Sequence, residues 1–166
     1  MINDEILKQG IEKSKNIIKE LTGMDIDMST TPIKVTKLSD IVNSNYYIMH
    51  QSAKSENKSW KFYFTLLSSD FLKFLGIIEN FNNIENIQPE DVLDSFLEIG
   101  NIICGNIISI IAENEKNLVF TPPILYSFSE IENDLINGTT IKFEIKSQNI
   151  SGYLLFAFSE EINNEN

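Results

Sequence analysis

PEDVLDSFLEIGNIICGNIISIIA, residues 89–112, is the stretch on which the fold turns. Pro89 suits the first position of a helix, where no amide donor is needed. Glu90 and Asp91 follow in the first turn, where negative charge meets the positive end of the helix dipole. At about 100° per residue, Val92, Leu93, Phe96, Ile99, Ile103, Ile107, Ile110 and Ile111 share one broad apolar arc, the side expected to face a core. Asp94, Glu98, Asn101 and Gly105 fall on the opposite side. Cys104 projects onto the margin of the apolar arc. The spacing predicts one long central helix over Pro89 to Ala112.

Two features of this helix go beyond amphipathicity. Glu98 and Asn101 are three apart, so their side chains are neighbours on the surface. Gly100 and Gly105 each cost a helix about 1 kcal/mol relative to alanine, which suggests that something approaches the backbone there. One reading is a solvated face with close helix packing at Gly100. The other is a docking face, in which a carboxylate, an amide and a bare spot at Gly105 meet another protein.

Working outward, residues Asn3 to Leu21 predict a second amphipathic helix. Ile6, Leu7, Ile11, Ile17, Ile18 and Leu21 lie on one face and Lys8, Lys15 and Lys19 opposite, with Gly23 as the stop. Thr30, Thr31 and Pro32 read as a loop before an extended segment from Ile33 to Leu38. Asn45 to Gln51 and Ser59 to Leu67 read as a hairpin around polar residues 54–58. Trp60, Phe62, Phe64 and Leu66 alternate with Lys61, Tyr63 and Thr65. Ser69 suits an N-cap for a short helix through Phe71, Leu72, Phe74 and Leu75, with Gly76 near its end. Asn80 to Asn86 read as a loop.

After the central helix, Asn114 to Asn117 predict a turn, and Leu118 to Phe120 and Ile124 to Ser127 read as strand pieces around two prolines. Ser129 to Gly138 is acidic and reads as a loop. Thr140 to Lys146 alternates as a strand, residues 148–152 as a turn, and Tyr153 to Phe158 as the last strand. The expected class is α+β: a mainly antiparallel sheet with the long central helix and the N-terminal helix packed on it. It is expected as one domain over residues 1–159, followed by a polar tail over 160–166.

Composition narrows the chemistry. The 166 residues carry a net charge of −11, with thirteen lysines and no arginine. So acidic a chain suits neither nucleic acid nor an anionic membrane. Without arginine it lacks the planar fork used in bidentate phosphate clamps and arginine fingers. The single cysteine excludes an internal disulfide and suits a reducing compartment. The opening Met1-Ile-Asn-Asp-Glu is acidic where a secretory signal needs a basic start. No uninterrupted apolar run approaches the roughly 20 residues of a membrane span. The expected setting is the cytoplasm.

The usual catalytic constellations fail one by one. Cys104 is not followed by the Cys-x5-Arg of a tyrosine phosphatase, since position 110 is Ile110. There is no Gly-x-Ser-x-Gly elbow and no Gly-x4-Gly-Lys phosphate loop. His50, the only histidine, has no second histidine for a metal pair. Asp94 and Glu98 on an exposed helix face lack the burial that tunes an acid/base pair. A carboxylate and an amide without other equipment suit one reaction. In hydrolysis of an aspartyl phosphate held by another protein, catalysis is mostly positioning, and a single amide can orient the attacking water.

The segment Glu98-Ile-Gly-Asn101-Ile-Ile-Cys-Gly105-Asn106 resembles the signature of the CheC/CheX/FliY phosphatases of bacterial chemotaxis, which carry Glu-x-x-Asn and then a small residue in Gly-Asn. Phe120-Thr121-Pro122-Pro123 resembles the family's Thr-Pro segment, and the order of elements is similar over most of the chain. Two-site members carry a further Glu-x-x-Asn on the first helix. Here Glu5, Glu12 and Glu20 are followed three residues on by Lys8, Lys15 and Gly23, which points to the single-site CheX type.

The resemblance implies that Asn101 orients water and that Glu98 pairs with a lysine of a phosphorylated CheY-type response regulator. Gly105, with Asp94 on the same face, would admit that partner. No cofactor is expected in the chain itself; Mg2+ is expected in the regulator. A homodimer joined through sheet edges is also implied. A non-catalytic binding module for a regulator or flagellar-switch partner, and a purely structural subunit, remain as alternatives.

Overall fold

The structure is a computed structural model and describes residues 4–56, 58–78 and 89–160. The chain runs α1 (Asp4–Thr22), β1 (Asp27–Lys37), a 3-10 turn (Leu38–Asp40), β2 (Tyr46–Lys54), β3 (Lys58–Leu67), α2 (Ser68–Ile78) and α3 (Pro89–Ile111). It continues through β4 (Val119–Phe120), β5 (Ile124–Tyr126), the short α4 (Phe128–Ile131), β6 (Leu135–Ile145), a second 3-10 turn (Lys146–Gln148) and β7 (Ile150–Glu160). The strands form one antiparallel sheet in the order β1-β6-β7-β3-β2-β4, with β5 also on β2. This is the expected α+β class. The loop expected at Asn80 to Asn86 and the tail residues 161–166 lie outside the described residues, while Glu160 itself is the last residue of β7, opposite Lys58.

The hairpin β2–β3 shows why two-residue alternation orders the layers. Trp60, Phe62, Phe64 and Leu66 are buried in the core shared with the helices. Tyr63, one step out of phase, is buried on the opposite face with Ile48, Leu38, Val42 and Ile131. Both faces of the central strands are therefore covered, the first by α1, α2 and α3 and the second by the 3-10 turn and α4. At the centre of the helix side, Phe64 stacks on Phe96 of α3 at 4.9 Å and on Phe143 of β6 at 5.9 Å between ring centroids. Burying a phenylalanine stabilises by roughly 1.5–3 kcal/mol, so this trio is a large share of what joins α3 to the sheet.

Helix α3 matches its expected span closely. By length and apolarity alone it could cross a membrane, with a mean hydropathy of 1.3 over its most apolar stretch. Its apolar side is instead buried in the protein: Val92, Phe96, Ile99, Ile103 and Ile107 lie in the main core. The arc is rotated from the expected one. Ile108 and Ala112, outside the expected arc, are buried, as is Cys104 at its margin, while Ile110 is only half-buried. Helix α1 packs along α3. Gly10, not one of the expected apolar residues, makes that contact, since a Cβ there would touch Ile107 Cγ2 at 3.4 Å. Ser14, also buried, turns its hydroxyl back onto the Gly10 carbonyl. Gly23 ends α1 as expected, at φ +68° with its N–H on the Lys19 carbonyl.

Several local expectations are corrected. Thr30 to Pro32 is not a loop but part of the eleven-residue β1. A proline is tolerated there because β1 is an edge strand, bonded on one side only to β6. Helix α2 starts at Ser68 rather than being capped by Ser69, and it runs past Gly76 to Ile78. Ser68 ties this start to β2 through the Asn45 carbonyl. Ser129 to Gly138 is not one loop. Ser127 and Glu130 form a capping box that starts α4, and β6 begins at Leu135. The turn expected over residues 148–152 ends sooner. Asn149 takes the left-handed conformation, and Gly152 is already within β7.

Gly152 shows how tightly β7 lies against its neighbours: a Cβ there would stand 2.3 Å from the Thr65 carbonyl oxygen and 2.5 Å from Phe143 Cζ. Gly152→Ala is therefore expected to destabilise the fold by at least about 2 kcal/mol, through backbone displacement and overpacking. Urea unfolding measures it, and a wild-type midpoint would contradict this packing.

Candidate functional site

The site is built where α3 crosses β2. On β2, residues Tyr47, Met49, Gln51 and Ala53 alternate toward the helices. Met49 lies directly under Gly100: a Cβ on Gly100 would stand 2.7 Å from Met49 Cε and 3.2 Å from Phe64 Cδ1. The close packing expected at Gly100 is thus real: a side chain there would require the Met49 terminus to move and Phe64 to give slightly. With the helix this low over the strand, Asn101 reaches the next inward rung. Gln51 Nε2 donates to Asn101 Oδ1 at 2.7 Å and to the Thr121 carbonyl at 2.9 Å.

Thr121 stands between β4 and β5, both of which pair with β2. Pro122 and Pro123 have no N–H to give a ladder, so side chains complete the join. The Ser52 N–H donates to Thr121 Oγ1 at 2.9 Å, and the Thr121 N–H donates to the Ser52 carbonyl at 2.9 Å. The structure therefore brings together the two segments that the sequence resemblance singled out, Asn101 and the Thr-Pro-Pro step, through a residue that sequence reading passed over. Gln51 is only 2% exposed. Its signal was available: a glutamine on the inward phase of a strand whose other inward residues are apolar.

The remaining candidates lie along the outer face of α3. Asp94, Glu98 and Asn101 are exposed, and Glu98 makes no hydrogen bond or ion pair among the described residues. Beyond Asn101 the face opens into a shallow groove lined by Ile102, Gly105, Asn106, Ser109 and Phe120. Nothing lies within 4 Å of where a Gly105 Cβ would be. Gly100 and Gly105 are thus glycines for different reasons: the first is filled from inside the fold, and the second faces open space. Asn106 and Ser109 turn their side chains back onto the helix carbonyls of Ile102 and Gly105, which leaves the groove floor smooth.

Two other chemical groups fall away from this site. Cys104 is 1% exposed, and burial pushes its thiol pKa far up, so it packs as a small apolar residue. His50 lies on the opposite face of the sheet, against the rings of Tyr63 and Tyr126. Burial, and then Lys61, lower its pKa below the ordinary value. Neither reaches Asn101. Among the described residues no three His, Cys, Asp or Glu side chains group to hold a metal.

No protein-family model and no curated protein matches the chain. Solved structures do. The chain is similar to a chain of the CheX–CheY–BeF3–Mg2+ complex from Borrelia burgdorferi, with a TM-score of 0.69 at 15% identity, covering 96% of this chain and 100% of that one. It is similar to chemotaxis protein CheX from Vibrio vulnificus, at TM-score 0.67 and 15% identity over 93% and 99% of the two chains. It is also similar to FliY from Thermotoga maritima, at TM-score 0.63 and 12% identity over 95% and 91%. The fold is therefore that of the CheC/CheX-like chemotaxis proteins.

Because the Gly105 position is open, Gly105→Ala is expected to stabilise the isolated protein by up to about 1 kcal/mol through helix propensity. That is a rise of roughly 2–4 °C in Tm for a chain of this size. A calorimetric fall in Tm would mean that the face is closed by something within the chain.

Proposed function

We propose that this chain is a CheX-like phosphatase, a member of the CheC/CheX/FliY family, that hydrolyses the aspartyl phosphate of a CheY-type response regulator. The observation that carries the proposal is the exposed Asn101 amide, tied at its oxygen to Gln51, one helical turn from the unpaired Glu98 carboxylate. In this reading the chain does not itself grip the phosphate: it has no arginine, and the residues lining the groove beside Asn101 include no lysine. Its part is to complete a site that another protein brings.

In this reading the regulator supplies the acyl phosphate, its Mg2+ and an active-site lysine. Glu98 pairs with that lysine and anchors the helix across the regulator's active site. Asp94 extends the acidic face one turn toward the N-terminus of α3, and the bare Gly105 lets the regulator's surface approach. Asn101 then enters beside the phosphoryl group and holds a water in line with the scissile bond. The new bond joins the water oxygen to phosphorus. The phosphorus–oxygen bond to the aspartyl carboxylate breaks, the carboxylate leaves as the anion, and the water's proton passes to the phosphate or to solvent. No covalent chemistry is asked of Asn101, only orientation. A homodimer through a sheet edge belongs to the same reading, with β1 at one edge and β4 and β5 at the other.

The test is the rate of phosphoryl loss from a phosphorylated CheY-type regulator. The wild-type chain is expected to accelerate it, Asn101→Ala to lower that acceleration by about 100-fold with the fold intact, and Glu98→Ala to weaken binding as well. A chain that binds the beryllofluoride-activated regulator but leaves the rate unchanged would be a binding module instead. One that does neither with any regulator of the cell would be a structural subunit.

A further inference from the structure

We propose that Gln51 is the positioning residue for Asn101, setting which end of the Asn101 amide faces outward. The orientation of both amides follows from one fixed group. The Thr121 carbonyl oxygen can only accept, so the Gln51 atom 2.9 Å from it is the NH2 nitrogen. The second proton of that NH2 points to Asn101, so the Asn101 atom 2.7 Å away is the acceptor, Oδ1. Turning either amide over would bring two acceptors or two donors into contact. Asn101 therefore presents its NH2 away from the strand, toward the exposed face, and keeps one Oδ1 lone pair available.

The burial of Gln51 points the same way. Its Oε1 is buried and has no hydrogen-bond partner among the described residues. A buried acceptor left unpaired is destabilising, and an apolar residue of the same shape would avoid that cost. The two acceptors that Gln51 serves belong to exposed residues, Asn101 and Thr121, which water can satisfy in its place. Gln51 thus gives one donation to the Thr121 carbonyl, which fixes its own amide, and the other to Asn101. It locks the side chain before any partner arrives, and its donation to Oδ1 polarises the amide and strengthens the outward N–H donors. This rests on the phosphatase reading for its catalytic consequence, but the hydrogen bond itself does not.

The test uses Gln51→Met, which keeps length and burial and deletes both donations, with Gln51→Leu as a second variant. The full chain is assayed with a phosphorylated CheY-type regulator. Expected are a Tm within about 3 °C of wild type, unchanged affinity for the beryllofluoride-activated regulator, and a turnover number lower by about 10- to 100-fold. In an Asn101→Ala background Gln51→Met should cause no further loss, because Gln51 acts only through that amide. Nitrogen-15 spectra of the side-chain amides give an independent readout: Asn101→Ala should shift the Gln51 NH2 signals, and Gln51→Met the Asn101 pair. Wild-type turnover in Gln51→Met, an equal loss in the Asn101→Ala background, or spectra without those shifts would each overturn the proposal. A wild-type chain with the spectral coupling but no turnover would instead sink the phosphatase reading, and the catalytic role of Gln51 with it, while leaving the hydrogen bond standing.

Discussion

Gly100 rests directly on the end of the Met49 side chain, where an added carbon would have to displace it, and the site is built around that contact. A side chain there would have to push the end of Met49 aside. Met49 lies under Gly100, and Gln51, the next inward residue of β2, meets Asn101. Hydrophobic packing supplies the force at the first rung, through Phe64 and Phe96. A hydrogen bond supplies the direction at the second. Nonpolar burial alone would hold the helix but not orient an amide, and a hydrogen bond alone is too weak to place a helix of 23 residues.

The same crossing explains why a proline-rich step sits beside the helix. Pro122 and Pro123 interrupt the edge between β4 and β5, which frees the Thr121 carbonyl from the ladder and turns it toward Gln51. A regular edge strand would have used that carbonyl for a backbone bond. The interruption thus fixes the Gln51 amide, and through it Asn101. The outer face of α3 is left unfilled. There the exposed carboxylates of Asp94 and Glu98, the amide and the open Gly105 lie in line along about three turns of helix. In the proposed reading this acidic surface meets a partner that brings the positive charge and the metal.

Much of this was legible in the sequence because helix and strand periods are strong signals. The span of α3, the exposure of Asp94, Glu98 and Asn101, the close packing at Gly100 and the β2–β3 hairpin follow from spacing and side-chain volume. What was not legible depends on neighbours distant in sequence. Pro32 looks like a loop residue until β1 is seen at an edge. Ile108 and Ala112 fall outside the expected arc and are nevertheless buried. Acidic residues 129–138 hide a capping box and the start of β6 because tertiary pairing overrides a polar composition. Gln51 is fifty residues from Asn101, and no local pattern says that a strand glutamine meets a helix asparagine.

The most direct measurement is a crystal structure of this chain bound to a CheY-type regulator carrying Mg2+ and beryllofluoride, which stands in for the aspartyl phosphate. The account predicts Asn101 within about 3 Å of a water aligned with the beryllium and the aspartyl oxygen, Glu98 on the regulator's lysine, and the regulator's backbone against Gly105. A complex in which the regulator sits elsewhere on the sheet, or in which Asn101 is turned away from the beryllofluoride, would contradict it.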